Sequence, residues 1–205
     1  MVDSIELSQE SLDLEHAVGR CVLAWSKVEF SLSVLFCAIL ATDSSVAHAT
    51  FAAVRSFAGR LKMLHDAFSA RYPDPDSAPR SDWKLLYNKC SACNDLRNQV
   101  AHSFQIVATD SESGKPRPLL EPYFVLTASK PRINLKEVNN RIFRFHELRD
   151  AVEWLLWSMG HVELQPPELT QPVPGLVLRL RDEAARNRAK QKPQPRSSPG
   201  KEPIR

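Results

Sequence analysis

The chain has 205 residues, 43% of them hydrophobic and 25% charged, which is ordinary for a globular protein and suits one domain with an appendage rather than two domains. Its formal charge of +3 hides an asymmetry: residues Arg179 to Arg205 carry nine basic and three acidic side chains, which leaves a net −3 on everything before them. A purely electrostatic nucleic-acid binder, with a basic stripe on its folded part, is therefore disfavoured apart from what the tail adds.

The start, Met1 to Glu6, is acidic and has no basic lead into an apolar run, so no signal peptide is expected. A first helix is predicted from about Ser11 to Ala41, with Val18, Val22, Trp25, Glu29, Leu32, Phe36 and Ile39 recurring every three or four residues. Its longest uninterrupted apolar run, Val34 to Ala41, is far short of a membrane span, and the expectation is a soluble, cytoplasmic protein. Asp43-Ser44-Ser45 offers a stop and a fresh N-cap. A second helix is predicted from about Ser45 to Tyr72, with Thr50, Val54, Phe57, Leu61, Leu64 and Phe68 on one side, and the prolines at 73, 75 and 79 mark a loop after it.

Ser81 and Asp82 can cap a third helix, with Trp83, Leu86, Cys90, Cys93, Arg97 and Val100 in register, ending near His102. Alternation then predicts a short β-hairpin, Phe104, Ile106 and Ala108 against Phe124, Leu126 and Ala128, with a polar tip at about 110–118. A fourth helix spans about Leu135 to Val162, with Val138, Ile142, Phe145, Leu148, Val152, Leu155 and Met159 inward. Gln165-Pro166-Pro167 breaks the pattern. Beyond it, residues 175–180 are apolar enough to pack back or form a small strand, residues 181–190 can make a helical turn or two, and the Pro, Lys, Arg and Ser of 191–205 cannot form a core.

The expected fold is thus mainly α: an up-and-down four-helix bundle over residues 1–164, a hairpin between its third and fourth helices, and a Pro-rich, basic, largely disordered tail over 165–205.

Of the four cysteines, Cys90 and Cys93 form a CxxC, but no second pair at zinc-ligand spacing accompanies it. Both lie on an apolar helical stripe, where cysteine behaves as a small hydrophobe. No metal or cofactor is called for.

Glu29 and Arg97 occupy stripe positions otherwise reserved for apolar side chains, and a buried charge wants a partner. The economical pairing is Glu29 with Arg97, the first helix beside the third; Arg55 and Arg60 compete for Glu29, and an Arg on the stripe can also snorkel to water. An Arg held by a carboxylate stays oriented and charged, which suits phosphate contact.

Arg97 also opens an Arg-x4-His spacing with His102. Arg can hold phosphate oxygens and stabilise charge on a phosphorane-like transition state, and His can take a proton from a ribose 2′-hydroxyl or give one to a leaving oxygen. The spacing recurs at Arg60/His65 and Arg141/His146, as chance allows with 17 Arg and six His. Those two pairs lie in mid-helix, where five residues set the side chains about 140° apart, and read as surface Arg with half-buried His. Arg97/His102 lies at a helix end, where the last turn can open. Asn98 sits one turn before His102, within reach to orient its ring, and Ala101 leaves space beside it.

Leu96-Arg97-Asn98-Gln99-Val100-Ala101-His102, closing a helix of a bundle, resembles the Arg-polar-x3-His motif of the HEPN superfamily. Together with Ala24 to Phe30 it is similar to uncharacterised bacterial chains carrying an LRNxxAH segment. The resemblance implies a homodimer whose two motifs face one cleft, and a metal-independent endoribonuclease of toxin–antitoxin or other defence systems, with RNA as substrate and an antitoxin or other protein as partner. Arg97 would then hold the scissile phosphate, His102 act as general acid and base, and Asn98 be the polar residue after the Arg. Members regulated through a tyrosine two residues after the His differ from this chain, which has Phe104 there. The alternative is a non-catalytic helical module that binds a partner protein or a nucleotide, with Arg97 and Asn98 structural. No other phosphate-binding element is present in the sequence, and Trp154, Trp157 and Phe143 read either as core or as dimer surface.

Overall fold

A computed structural model describes residues 9–109, 114, 116–122, 132–160 and 174–191, the last stretch with side chains to residue 186. The elements are α1 (Gln9–Leu40), α2 (Ser44–Ala53), α3 (Phe57–Arg71), α4 (Ala78–Ala101), β1 (Ser103–Thr109), β2 (Pro116–Pro122), α5 (Leu135–Ser158) and α6 (Gly175–Gln191).

Helix α1 is the spine, packing on α2, α3, α4 and most extensively on α5. It runs parallel to α5, where an up-and-down four-helix bundle would set its first and last helices antiparallel: Arg20 meets Asn139, Trp25 meets Phe145 and Ser31 meets Glu153, each pair further along both helices. Helix α4 runs opposite to α3, since His65 faces Tyr87 and Phe68 stacks on Trp83.

The inward line of α1 differs from the predicted one in its first half. Leu14, Ala17, Cys21, Ala24 and Val28 are buried, whereas Val22 is 42% exposed. The residues that let two backbones approach are the small ones, and a pattern read from large apolar side chains passes over them. Averaged over 18 residues α1 reaches a mean hydropathy of 1.6, enough by length and composition to cross a membrane, which the eight-residue run did not reveal. In this fold its apolar line is the face that meets the neighbouring helices.

The single helix expected over 45–72 is two. Val54 and Ser56 are extended, Ser56 caps α3 by accepting from the Gly59 N–H at 3.1 Å, and Val54 folds over that turn. A Cβ on Gly59 would come within 2.8 Å of Val54 Cγ1, so only glycine fits under this reversal. The break reorients α3, whose contacts with α1 then run in step, Phe57 at Trp25 and Arg60 at Glu29.

The hairpin forms with a different second strand. β1 pairs antiparallel with Pro116–Pro122, from Ser103 opposite Pro122 to Thr109 opposite Pro116. The predicted partners Phe124, Leu126 and Ala128 lie outside the described residues. Three prolines disguised β2 as a turn, yet all three share the parity of Leu120, whose N–H points away from β1 and donates to Ile133 O at 2.8 Å. Their missing donors would have faced the outer edge, so the ladder with β1 loses nothing.

Part of the expected tail is ordered as α6. Leu176 and Val177 are buried against α4 and α5. Arg181 forks onto Asp82, Nε to Oδ1 at 2.8 Å and Nη2 to Oδ2, with its guanidinium 5.3 Å from the Trp154 ring. Arg179 donates to Glu147. Removing Arg181 strands the Asp82 carboxylate, 7% exposed. Arg181→Met is expected to lower the unfolding free energy by about 2 kcal/mol, a value discounted because Arg181 itself is partly solvated. Adding Asp82→Asn should recover most of it. Urea titration of the three chains checks this double-mutant relation.

Candidate functional site

Helix α4 keeps the predicted inward line, with Trp83, Leu86, Cys90, Cys93 and Val100 buried, and it ends at Ala101 with His102 as its C-cap. The cap residue leaves helical geometry (φ −113°, ψ 31°) while its N–H still donates to Asn98 O at 3.0 Å, and β1 starts on the next residue. His102 thus stands at the junction of the helix end and the hairpin base, exposed together with Ala101.

Arg97 is half-buried one turn back. Its Nη1 donates to Asn98 Oδ1 at 2.9 Å, and its Nε is withdrawn from solvent with no partner among the described residues. Asn98 therefore holds the guanidinium rather than reaching the imidazole. An Arg so anchored carries a fixed charge at the C-terminal end of a helix, where a cation is favoured.

Glu29 is not its partner. The Glu29 carboxylate accepts from Arg60 Nη2 at 2.8 Å, both residues half-buried, and the Arg60 guanidinium also lies 5.8 Å from the Phe51 ring centre. The reason is register. Arg97 lies at the level of Arg141, which stands one turn before Phe145; since Phe145 packs on Trp25 and the two helices are parallel, that level on α1 is near Cys21. Glu29 is eight residues beyond Cys21, roughly 12 Å along the helix. The competing partner on the reoriented α3 takes it.

Arg141 is the residue that sequence reasoning missed. From α5 it donates Nη1 to Leu96 O and Nη2 to Gln99 Oε1, both at 2.9 Å, and so clamps the last turn of α4 from outside. Ser103 Oγ donates to Gln99 O in the same turn. Burial holds the Arg141 pKa below its ordinary value, and Cys21 and Glu137 oppose that shift. A signal was present: Arg141 is three residues after Val138 and four before Phe145, on the buried line of α5. Its pairing with His146 by spacing alone concealed this role.

The other candidates separate cleanly. His65 and His146 both have their pKa lowered, mainly by burial. Trp154 is core, whereas Trp157 and Phe143 are 40% and 63% exposed. Burial pushes the Cys21 thiol up to about 11 and raises Cys90 and Cys93 above their ordinary range, so these are protonated side chains inside a core. Among the described residues, no three His, Cys, Asp or Glu side chains converge as a metal ligand set.

No family model, no curated protein and no solved structure matches this chain significantly.

The clamp predicts a local effect. Arg141→Met should cost about 2 kcal/mol of global stability through two lost charge-assisted bonds. It should also speed amide exchange of Val100, Ala101 and His102 by about tenfold more than that of the α1 core. Hydrogen-exchange NMR reads both, and uniform acceleration across the chain would remove the local role.

Proposed function

We propose that the chain is a metal-independent endoribonuclease of HEPN type, acting as a homodimer in a defence or toxin–antitoxin role. The observation that carries this reading is an exposed imidazole, His102, capping a helix end five residues after a half-buried guanidinium, Arg97, that Asn98 holds.

The chemistry follows from these groups. One His102 takes the proton of a ribose 2′-hydroxyl, and the freed oxygen attacks the adjacent phosphorus. The bond to the 5′-oxygen breaks, and that oxygen receives a proton from a protonated imidazole, which the second protomer supplies. The products are a 2′,3′-cyclic phosphate and a 5′-hydroxyl end. Arg97 holds the phosphate and stabilises the charge that builds on its oxygens in the transition state. Arg141 keeps the helix end in place without touching RNA. Glu29 has no part in orienting Arg97 and belongs to the α1–α3 seam.

A second reading, a helical module binding a partner protein or a nucleotide, draws support from the same bonds. Asn98 on Arg97 and Arg141 on Gln99 would serve as structural ties at a helix end.

Incubation of the purified chain with RNA in EDTA separates the two. Cleavage that survives the chelator and falls at least about a hundredfold in both His102→Ala and Arg97→Ala is expected. No cleavage of any RNA tested, or cleavage unchanged by His102→Ala, removes the enzymatic reading and leaves the binding module.

A further inference from the structure

The seam between α3 and α4 gathers basic and aromatic side chains far from His102. On α4, Arg80, Lys84 and Tyr87 follow at spacings of four and three residues and so share one face. On α3, His65 lies against Tyr87 with ring centres 4.4 Å apart. Lys62 and Asp66 flank it and pair with each other at 2.6 Å, so their charges cancel. Arg80 and Lys84 then leave a local excess of positive charge.

Three polar atoms in this seam are withdrawn from solvent with no hydrogen-bond partner among the described residues, Arg80 Nη1, His65 Nδ1 and Trp83 Nε1, of which the first two belong to the basic face. A buried guanidinium N–H without an acceptor is costly, and such a group calls for an acceptor from outside the chain. Burial, then Arg80, lowers the His65 pKa, with Lys62 and Lys84 acting the same way and Asp66 against it. Near neutrality the ring is therefore uncharged, with one nitrogen a donor and the other an acceptor. The first turn of α4 adds to the field. Ser77 makes no side-chain cap, its hydroxyl donating instead to Asp74 O at 2.8 Å, and Arg80 is only the third residue of the helix.

We propose that this seam is a phosphate-binding site, with Arg80 Nη1 and His65 Nδ1–H donating to the phosphate oxygens and Lys84 supplying charge. A planar guanidinium beside a second donor suits a tetrahedral oxyanion, which accepts from several directions. The site is 17 residues from Arg97 along α4, roughly 26 Å, and so is independent of the ribonuclease reading.

The test follows the histidine ring signals of the full chain by NMR, with His65 assigned through His65→Gln. Inorganic phosphate is titrated at neutral pH against sodium chloride of matched ionic strength. A saturable shift of His65 under phosphate alone is expected, with affinity roughly tenfold weaker in Arg80→Gln and about twofold weaker in Lys84→Gln. Lys84 is exposed, so its variant keeps the test open if Arg80→Gln does not fold. A shift that chloride reproduces, one that does not saturate, or one indifferent to the folded substitutions overturns the proposal. His102 in the same spectra reports any phosphate at the other end of α4, so the two sites fail or succeed separately. A parallel titration with a nucleoside 5′-monophosphate distinguishes sources: equal saturation assigns the free anion, tighter saturation a phosphate ester.

Discussion

The packing of Trp25 against Phe145 sets the register on which the rest of the molecule depends. Both side chains are buried, their ring centres 5.1 Å apart, and Phe57 also packs on Trp25 at 4.9 Å. In a close-packed interior a cluster of this size cannot slip by a helical turn without opening a cavity. With α1 and α5 locked there, Arg20 reaches Asn139 and Ser31 reaches Glu153. Arg141, one turn before Phe145, is delivered to the last turn of α4. The same register keeps Glu29 away from Arg97. The geometry of the helix end is thus a consequence of core packing, decided by residues outside it.

Charge is redistributed by folding in a way that net totals conceal. The sequence divides into a mildly acidic body and a basic end, yet Arg179 and Arg181 of that end fold onto Glu147 and Asp82 of the body. Glu29 is likewise taken by Arg60. Arg97, half-buried, donates to the neutral amide of Asn98, and Arg141 to a carbonyl and a neutral amide. The helix end therefore keeps local positive charge although the body as a whole is acidic, which weakens the objection that this body is unsuited to a phosphate. Helix α4 carries a guanidinium near each end, Arg80 and Arg97, and neither forms an ion pair with an acidic side chain among the described residues.

Period and composition were enough to place α1, α4 and α5, the inward line of α4 and the position of His102 at a helix end, because each depends on spacing within a single element. The hairpin was legible as a hairpin, but its second strand was hidden by Pro116, Pro118 and Pro122. Proline reads as a turn until one knows which edge its nitrogen faces. The break at Val54 to Ser56 was hidden for a related reason: the apolar spacing runs through it, and only the contact of Gly59 with Val54 shows that the chain reverses. Residues 175–191 left a strand and a helical turn both open, since Leu176 and Val177 gain their meaning from the surface they cover.

What the sequence by itself determined is therefore local: which segments are helical, and that Arg97, Asn98 and His102 close one helix. Pairing was decided by the tertiary structure alone. Glu29 went to Arg60, Arg97 to Asn98, and Arg141 became the clamp on the helix end, none of which follows from spacing. The physical reason is that a charge on a buried stripe declares its need for a partner, while the identity of that partner depends on the register between helices. That register is set by how large side chains such as Trp25 and Phe145 fill space, which no one-dimensional pattern records.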